Sequence, residues 1–236
     1  MSSQCYNWDK SSWLSSKEYF AKLSNQLIEL LDIHEEIKIL DVGCGRGYLL
    51  GSLANKVNLI NTPLGVEPVK HEGPIPHHIK MINSSINSFL GDNNAKFDVV
   101  ILKQVLHLLN LNEREYFYRE LKKHLHDNAK IVFIHMNDQT EIPQFPIMKN
   151  RLKKSLNSHQ YLSEELIKNF KLLKIDNFNY NVNISSKEYL EMIRNKYISV
   201  ILDLNEEEIE KGIEFIKKHY PNQLSFKDTL TIQVFN

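Results

Sequence analysis

Asp41, Gly43, Gly45 and Gly47 stand at alternate positions where the apolar run Ile39-Leu40-Asp41-Val42 gives way to a turn. An apolar strand that feeds a tight glycine turn and then a helix, here from about Tyr48, is an arrangement that holds a ligand with backbone amides. A side chain at Gly43 or Gly45 would keep a ligand off those amides, and such a turn can demand positive φ. Asp41, just before the turn, carries a carboxylate that could reach a cationic group. A nicotinamide dinucleotide fingerprint places glycines at relative positions 1, 3 and 6. Here the sixth position is Tyr48, and the third glycine comes one residue early, at Gly47.

Such a turn needs a sheet beneath it. Apolar runs at 37–42, 64–66, 79–82, 99–102 and 131–134 read as short strands, with polar or helical segments between most of them. That alternation predicts a mostly parallel sheet covered on both faces. Ahead of it, Ser15 and Glu18 form a capping-box pattern before Phe20, Leu23, Leu27 and Leu30, which predicts an N-terminal helix. A helix over about 113–125 should end at His126-Asp127-Asn128, where Asp and Asn tolerate the left-handed conformation. Residues 137–158 carry Pro143, Pro146 and a basic cluster (Lys149, Arg151, Lys153, Lys154), and read as an inserted loop and helix. Two further helices are marked by Ser185 with Glu188, before Leu190, Ile193, Tyr197 and Ile201, and by Asn205 with Glu208, before Ile209, Ile213 and Ile216. They lie between strand candidates at 172–182 and 224–235 and are expected to cap a small-molecule site.

Asp41-x-Gly43-x-Gly45-x-Gly47 resembles motif I of the class I S-adenosylmethionine-dependent methyltransferases. In that family the next strand ends in an acidic residue that holds the ribose hydroxyls, a role that falls to Glu67 in Leu64-Gly65-Val66-Glu67. Phe97-Asp98-Val99-Val100 resembles the start of the family's fourth strand, and Lys103-Gln104-Val105-Leu106-His107 is similar to the segment that follows it. The resemblance covers about residues 37–136. It implies an α/β fold, a Rossmann-like seven-stranded, mostly parallel sheet with helices on both faces and a helical cap. It implies S-adenosyl-L-methionine as cofactor and S-adenosyl-L-homocysteine as product, with Asp41, Gly43, Gly45, Gly47, Glu67 and Lys103 on the cofactor side. Many relatives carry an acidic residue for the adenine amino group after the third strand. This chain has Asn83-Ser84-Ser85, so Ser84, Ser85 or nearby backbone is expected there. Asp127-Asn128 stands where the family has a glycine pair.

The cofactor's methyl group sits on a cationic sulfur, so the protein's tasks are to hold the donor and to aim a nucleophile in line with it. An oxygen or nitrogen acceptor can also need a base. His107 and His135, just beyond the C-terminal ends of strands, are the candidates. For both, a histidine that merely positions its loop is the competing reading. Cys44 reads as a small turn residue, and Tyr6, Trp8 and Trp13 as either a lid or an aromatic cluster on the core. No metal site is expected at His71, His77 and His78, which lack a carboxylate partner.

The whole chain of 236 residues fits one domain: an N-terminal helical segment (1–36), a cofactor-binding core (37–136), an insert (137–160) and C-terminal strands with a helical cap (161–236). The 29 basic and 29 acidic residues cancel, so no global field favours nucleic acid or an anionic membrane. Two cysteines, no apolar leader in residues 1–10 and no apolar run approaching the roughly 20 residues of a membrane span set the expectation of a cytoplasmic protein. A small-molecule acceptor is the first expectation. An Asn-Pro-Pro-Tyr type motif for methylating bases is replaced by Leu102-Lys103-Gln104-Val105, and the four-charge basic cluster reads as a solvated face. The alternatives are an inert methyltransferase-like subunit that binds a partner protein through its cap, and an RNA or protein methyltransferase with an open, charged surface.

Overall fold

The computed structural model describes residues 13–71 and 73–236. Tyr6, Trp8 and Cys5 lie outside the described residues. Seven strands form one sheet: β1 (Ile39–Val42), β2 (Leu64–Val66), β3 (Lys80–Ile82), β4 (Phe97–Lys103), β5 (Leu125–Met136), β6 (Leu172–Ser185) and β7 (Gln223–Phe235). Their order is β3-β2-β1-β4-β5-β7-β6. The first five run parallel, and β7 lies antiparallel between β5 and β6. The chain thus winds outward from β1 through β2 to β3, then returns so that β4 lies on the other side of β1. The strand order reverses there, and ligands bind at such reversals in open α/β sheets.

The central strands are apolar on both sides because helices cover both faces. In β4, Val99 and Ile101 face one core, while Val100 and Leu102 face the other. The first core takes Tyr19, Leu23, Leu27 and Leu31 of α1 (Lys17–Leu31) and Leu49, Leu50 and Leu53 of α2 (Tyr48–Val57). The second takes Ile86 and Leu90 of α3 (Ile86–Asp92) and Phe117, Tyr118 and Leu121 of α4 (Leu111–Leu121). The long helix α5 (Pro146–Asn169) joins both: Met148 and Leu152 enter the first core, Leu162 and Leu166 the second. Pro146 at its first turn suits a helix start, where its missing N–H has no partner to lose.

The capping boxes at Ser185/Glu188 and Asn205/Glu208 form as expected and start α6 (Ser186–Arg194) and α7 (Glu206–His219). Tyr197 and Ile201 are buried as expected, yet α6 stops at Arg194 and the two residues belong to the turns that follow. Other elements are displaced from their expected limits. Ser16, one residue beyond Ser15, caps α1 by accepting from the Tyr19 amide. The capping box of Asn110 and Glu113 starts α4, which gives way at Lys122 to a 3₁₀ turn, and Leu125 already belongs to β5. His126-Asp127-Asn128 therefore lies inside β5. Asn128 is left-handed there (φ 65°), beside a shift in the β4/β5 register, so a bulge takes the place of the expected turn. The expected insert is a loop followed by a helix that runs on to Asn169, so the limit placed at 160 falls within α5.

Gly212 of α7 lies against Phe145, and a Cβ built there would come within 2.8 Å of three ring atoms. On an exposed helix, adding a side chain to glycine gains up to about 1 kcal/mol. Here Gly212→Val should instead lose about 1–3 kcal/mol through overpacking, read as a lower urea midpoint. An unchanged or higher midpoint would mean that the ring yields.

Candidate active site

The turn after β1 is shaped by what its glycines leave room for. Gly43 has φ 65°, and its amide donates to the Val66 carbonyl at 2.8 Å, tying the turn to β2. A Cβ at Gly43 would stand 2.5 Å from Val105 Cγ2, and one at Gly47 would meet Ile79 Cδ1 at the same distance. At Gly45 (φ 55°) a Cβ would meet nothing within 4 Å, so this residue borders open space on its ligand side. Glu67, just past β2, closes the arrangement. One carboxylate oxygen accepts from the Gly45 amide (3.0 Å) and the other from the Val69 amide (2.9 Å).

Asp41, Gly43, Gly45, Glu67, Lys103 and His107 are brought together around one pocket of about 490 Å³ above the C-terminal ends of β1 and β4. Trp13, Leu14 and Phe20 wall it from the N-terminal side, Leu152, Ser155 and His159 from α5, and Ile198, Ser199, Val200 and Leu202 from the cap. The remaining expected residues stand apart from its lining. Gly47 serves the packing of α2 against Ile79. Ser85 caps α3 by accepting from the Ser88 amide, and the Ser84 hydroxyl donates to the Ser85 carbonyl. His135 lies behind the wall, its ring against Phe133. Cys44 packs its sulfur on Met81, and burial followed by the charges of Asp41 and Glu67 pushes its thiol far above the ordinary range. That is a turn residue's environment, and an unreactive one.

The pocket's charges are set by burial. Asp41 is almost fully buried and pushed up to about 7, first by desolvation and then by Glu67, with Lys103 pulling the other way. Asp228 of β7 is 1% exposed and accepts from Trp13 Nε1 at 2.8 Å. Burial raises its carboxyl too, against the Trp13 hydrogen bond and Lys103. Desolvation lowers His107 and His135, and takes His159 to about 4 with added repulsion from the other two rings. All three imidazoles are neutral at pH 7 and able to accept a proton. Among the described residues, no group of three His, Cys, Asp or Glu is placed to hold a metal ion, and no helix is long and apolar enough to cross a membrane.

Two lining residues, Asp228 and His159, were not among the expected ones, although each had a signal. The inward positions of β7 run Leu224, Phe226, Asp228, Leu230 and Ile232, so strand alternation alone puts a carboxylate among apolar side chains. The buried stripe of α5, Met148, Leu152, His159, Leu162 and Leu166, likewise holds one histidine at helical spacing. Trp13, read as lid or core, is both pocket wall and partner of Asp228.

A carboxyl raised in the folded state adds stability that is full below its ordinary value and is lost as pH rises through the folded one. For Asp41 that window runs from about 4 to about 7. Urea unfolding between pH 5 and 8 should show the wild type losing stability relative to Asp41→Asn, by on the order of 1 kcal/mol per pH unit at most. Parallel pH slopes would contradict a proton-holding Asp41.

The fold is similar to those of several solved structures. A cyclopropane-fatty-acyl-phospholipid synthase-like protein from Lactobacillus casei superimposes with a TM-score of 0.57 at 14% identity, over 97% of this chain and 95% of that one. A SAM-dependent methyltransferase from Archaeoglobus fulgidus gives 0.51 at 15% identity, over 95% and 96%. A precorrin-6y C5,15-methyltransferase from Geobacter metallireducens gives 0.51 at 10% identity, over 91% and 87%. No curated protein sequence matches the chain. Residues 40–133, from β1 to β5, match the family described as the methyltransferase domain, and the sheet order and glycine turn seen here are those of a Rossmann-like methyltransferase fold.

Proposed function

We propose that the chain transfers a methyl group from S-adenosylmethionine to a small-molecule acceptor held in the same pocket. The observation that carries this reading is the continuity of the cavity, from the glycine turn and Glu67 at one side to a roof made by Trp13, Phe20, Leu152, Ile198, Ser199, Val200 and Leu202 at the other. A polymer acceptor calls for an open channel, whereas a roof of side chains suits a molecule that can be enclosed. The precorrin and fatty-acyl-phospholipid names of two similar structures agree in kind with a small acceptor.

The residues present suit the cofactor. Open space at Gly45 leaves the turn's backbone approachable, Glu67 is the residue to which the family resemblance gives the ribose hydroxyls, and Asp41 offers a carboxylate to a cation. When bound, S-adenosylmethionine supplies an electrophilic methyl group on positively charged sulfur. Around it, Lys103 tempers the charge of Asp41, and Leu152, Met136 and the Ile198 region exclude water. Partial drying leaves a cationic ground state poorly solvated and so favours charge-quenching transfer. A cytoplasmic setting belongs to the same reading and suits the free thiol of Cys44.

Calorimetric titration with S-adenosylmethionine, S-adenosylhomocysteine and NADH tests it. The first two should bind and NADH should not. Glu67→Ala removes charged hydrogen bonds that are each a matter of about 1.5–3 kcal/mol, so affinity should fall about 10- to 100-fold. Because a cationic ligand favours ionised Asp41, S-adenosylmethionine should also bind up to about tenfold tighter at pH 8 than at pH 6. Absence of binding would instead point to an inert, partner-binding subunit.

A further inference from the structure

Three histidines from separate elements meet at the acceptor side of the pocket. His107 comes from the 3₁₀ turn Leu106–Leu108 after β4, His135 from the end of β5 and His159 from the middle of α5. Ring centroids of His107 and His159 are 5.9 Å apart, and those of His135 and His159 are 5.1 Å apart. His107 and His159 line the pocket. His135 Nδ1 faces the Met136 carbonyl at 3.0 Å, which fixes the ring proton on Nδ1 and leaves Nε2 as a lone-pair acceptor. That Nε2 and Nδ1 of His159 are buried without a hydrogen-bond partner. A histidine kept only for packing looks different in this same protein. His124 is buried too, and both its nitrogens are engaged, with the Ala95 carbonyl at 2.7 Å and the Leu90 carbonyl at 3.0 Å.

We propose that His107 and His159, with His135 behind them, form a hydrogen-bond-accepting wall for the methyl acceptor, and that the acceptor is an uncharged molecule whose methylated heteroatom carries a proton. The assignment rests on the function proposed above. Buried acceptors left unpaired are unfavourable, so a ligand that brings a donor to this wall gains a hydrogen bond without displacing one. The charges acting on the three rings are their own and that of Asp138 on His135; burial and mutual repulsion keep the rings neutral. A sulfonium nearby works in the same direction. In the transfer served by this wall, a lone pair of the acceptor heteroatom makes the new bond to carbon. The electron pair of the broken bond stays on the sulfur that gave up the methyl group. The acceptor's proton passes to an imidazole nitrogen of His107 or His159, the two rings that line the pocket. His135, outside the lining, is a positioning residue that acts through His159.

The test uses the full chain and probe pairs in which methyl groups replace the heteroatom's protons: phenol against anisole, and aniline against N,N-dimethylaniline. Binding is followed at pH 7 through the ¹⁵N resonances of the histidine rings, with and without S-adenosylhomocysteine. In at least one pair the proton-bearing member should bind about fivefold or more tighter than its blocked partner and should move the His107 and His159 signals. His159→Phe should abolish that preference. His159→Asn, whose amide oxygen still accepts, should retain part of it and covers the case in which the phenylalanine variant does not fold. Equal affinities within both pairs, or a preference that survives in His159→Phe and His107→Phe alike, would overturn the wall. Failure of the wild type to bind S-adenosylhomocysteine would overturn the methyl-transfer reading separately, since the probe pairs are compared without it as well.

Discussion

Glu67 ties together two pieces of backbone that would otherwise be independent. Its carboxylate accepts from Gly45 in the turn after β1 and from Val69 in the loop after β2, so one side chain sets the spacing between the two loops at this end of the pocket. The rest of the site presupposes that spacing. Gly43 can lie flat against Val105 because the turn is held toward β2, and the Gly43 amide reinforces it by donating to Val66. With the loops fixed, the reversal of strand order between β1 and β4 becomes a walled pocket with Asp41 on one strand and Lys103 on its neighbour.

Electrostatics follow from that enclosure. Ionisable groups are drawn into a partly dry space, where burial raises the carboxyls of Asp41 and Asp228 against the opposing pull of Lys103 and lowers the histidines, which also repel one another. The result is a pocket whose carboxyls hold protons more readily than carboxyls in water and whose imidazoles hold them less readily. Such a site presents little net charge until a ligand brings one, which suits the proposed transfer from a cationic donor.

Much of the pocket's glycine-turn end could be read from residues alone, because it is built from local signals. A glycine turn, its preceding strand and an acidic residue at the next strand end lie within residues 39–67, and the structure brings them to one place. The adenine-side expectation differs because Ser85 has a competing local use, capping α3, which a hydroxyl before a helix performs well. The other end of the pocket was harder for the opposite reason. Asp228 and His159 are brought to the pocket by strands and helices more than a hundred residues from the glycine turn, and their signals consist of single polar residues in apolar stripes. Such a stripe shows that a residue is buried but not what it faces. Limits of elements shifted where tertiary contacts overrode local cues, as at β5, where a bulge absorbs the residues that read as a turn.

The antiparallel pair β6 and β7 keeps register from Lys174 with Val234 to Ser185 with Gln223, and the Ser186 amide then donates to the Asn222 carbonyl at 2.7 Å. Helices α6 and α7 and the pocket-lining Ile198 segment are therefore all strung between the two ends of a closed hairpin, each helix begun by its own capping box. A lobe attached by so narrow a neck can change its length, its helix count or its lining without altering the strands below it. Descendants of such a chain could exchange the lobe whole and reshape the pocket's roof while the glycine-turn end stays as it is.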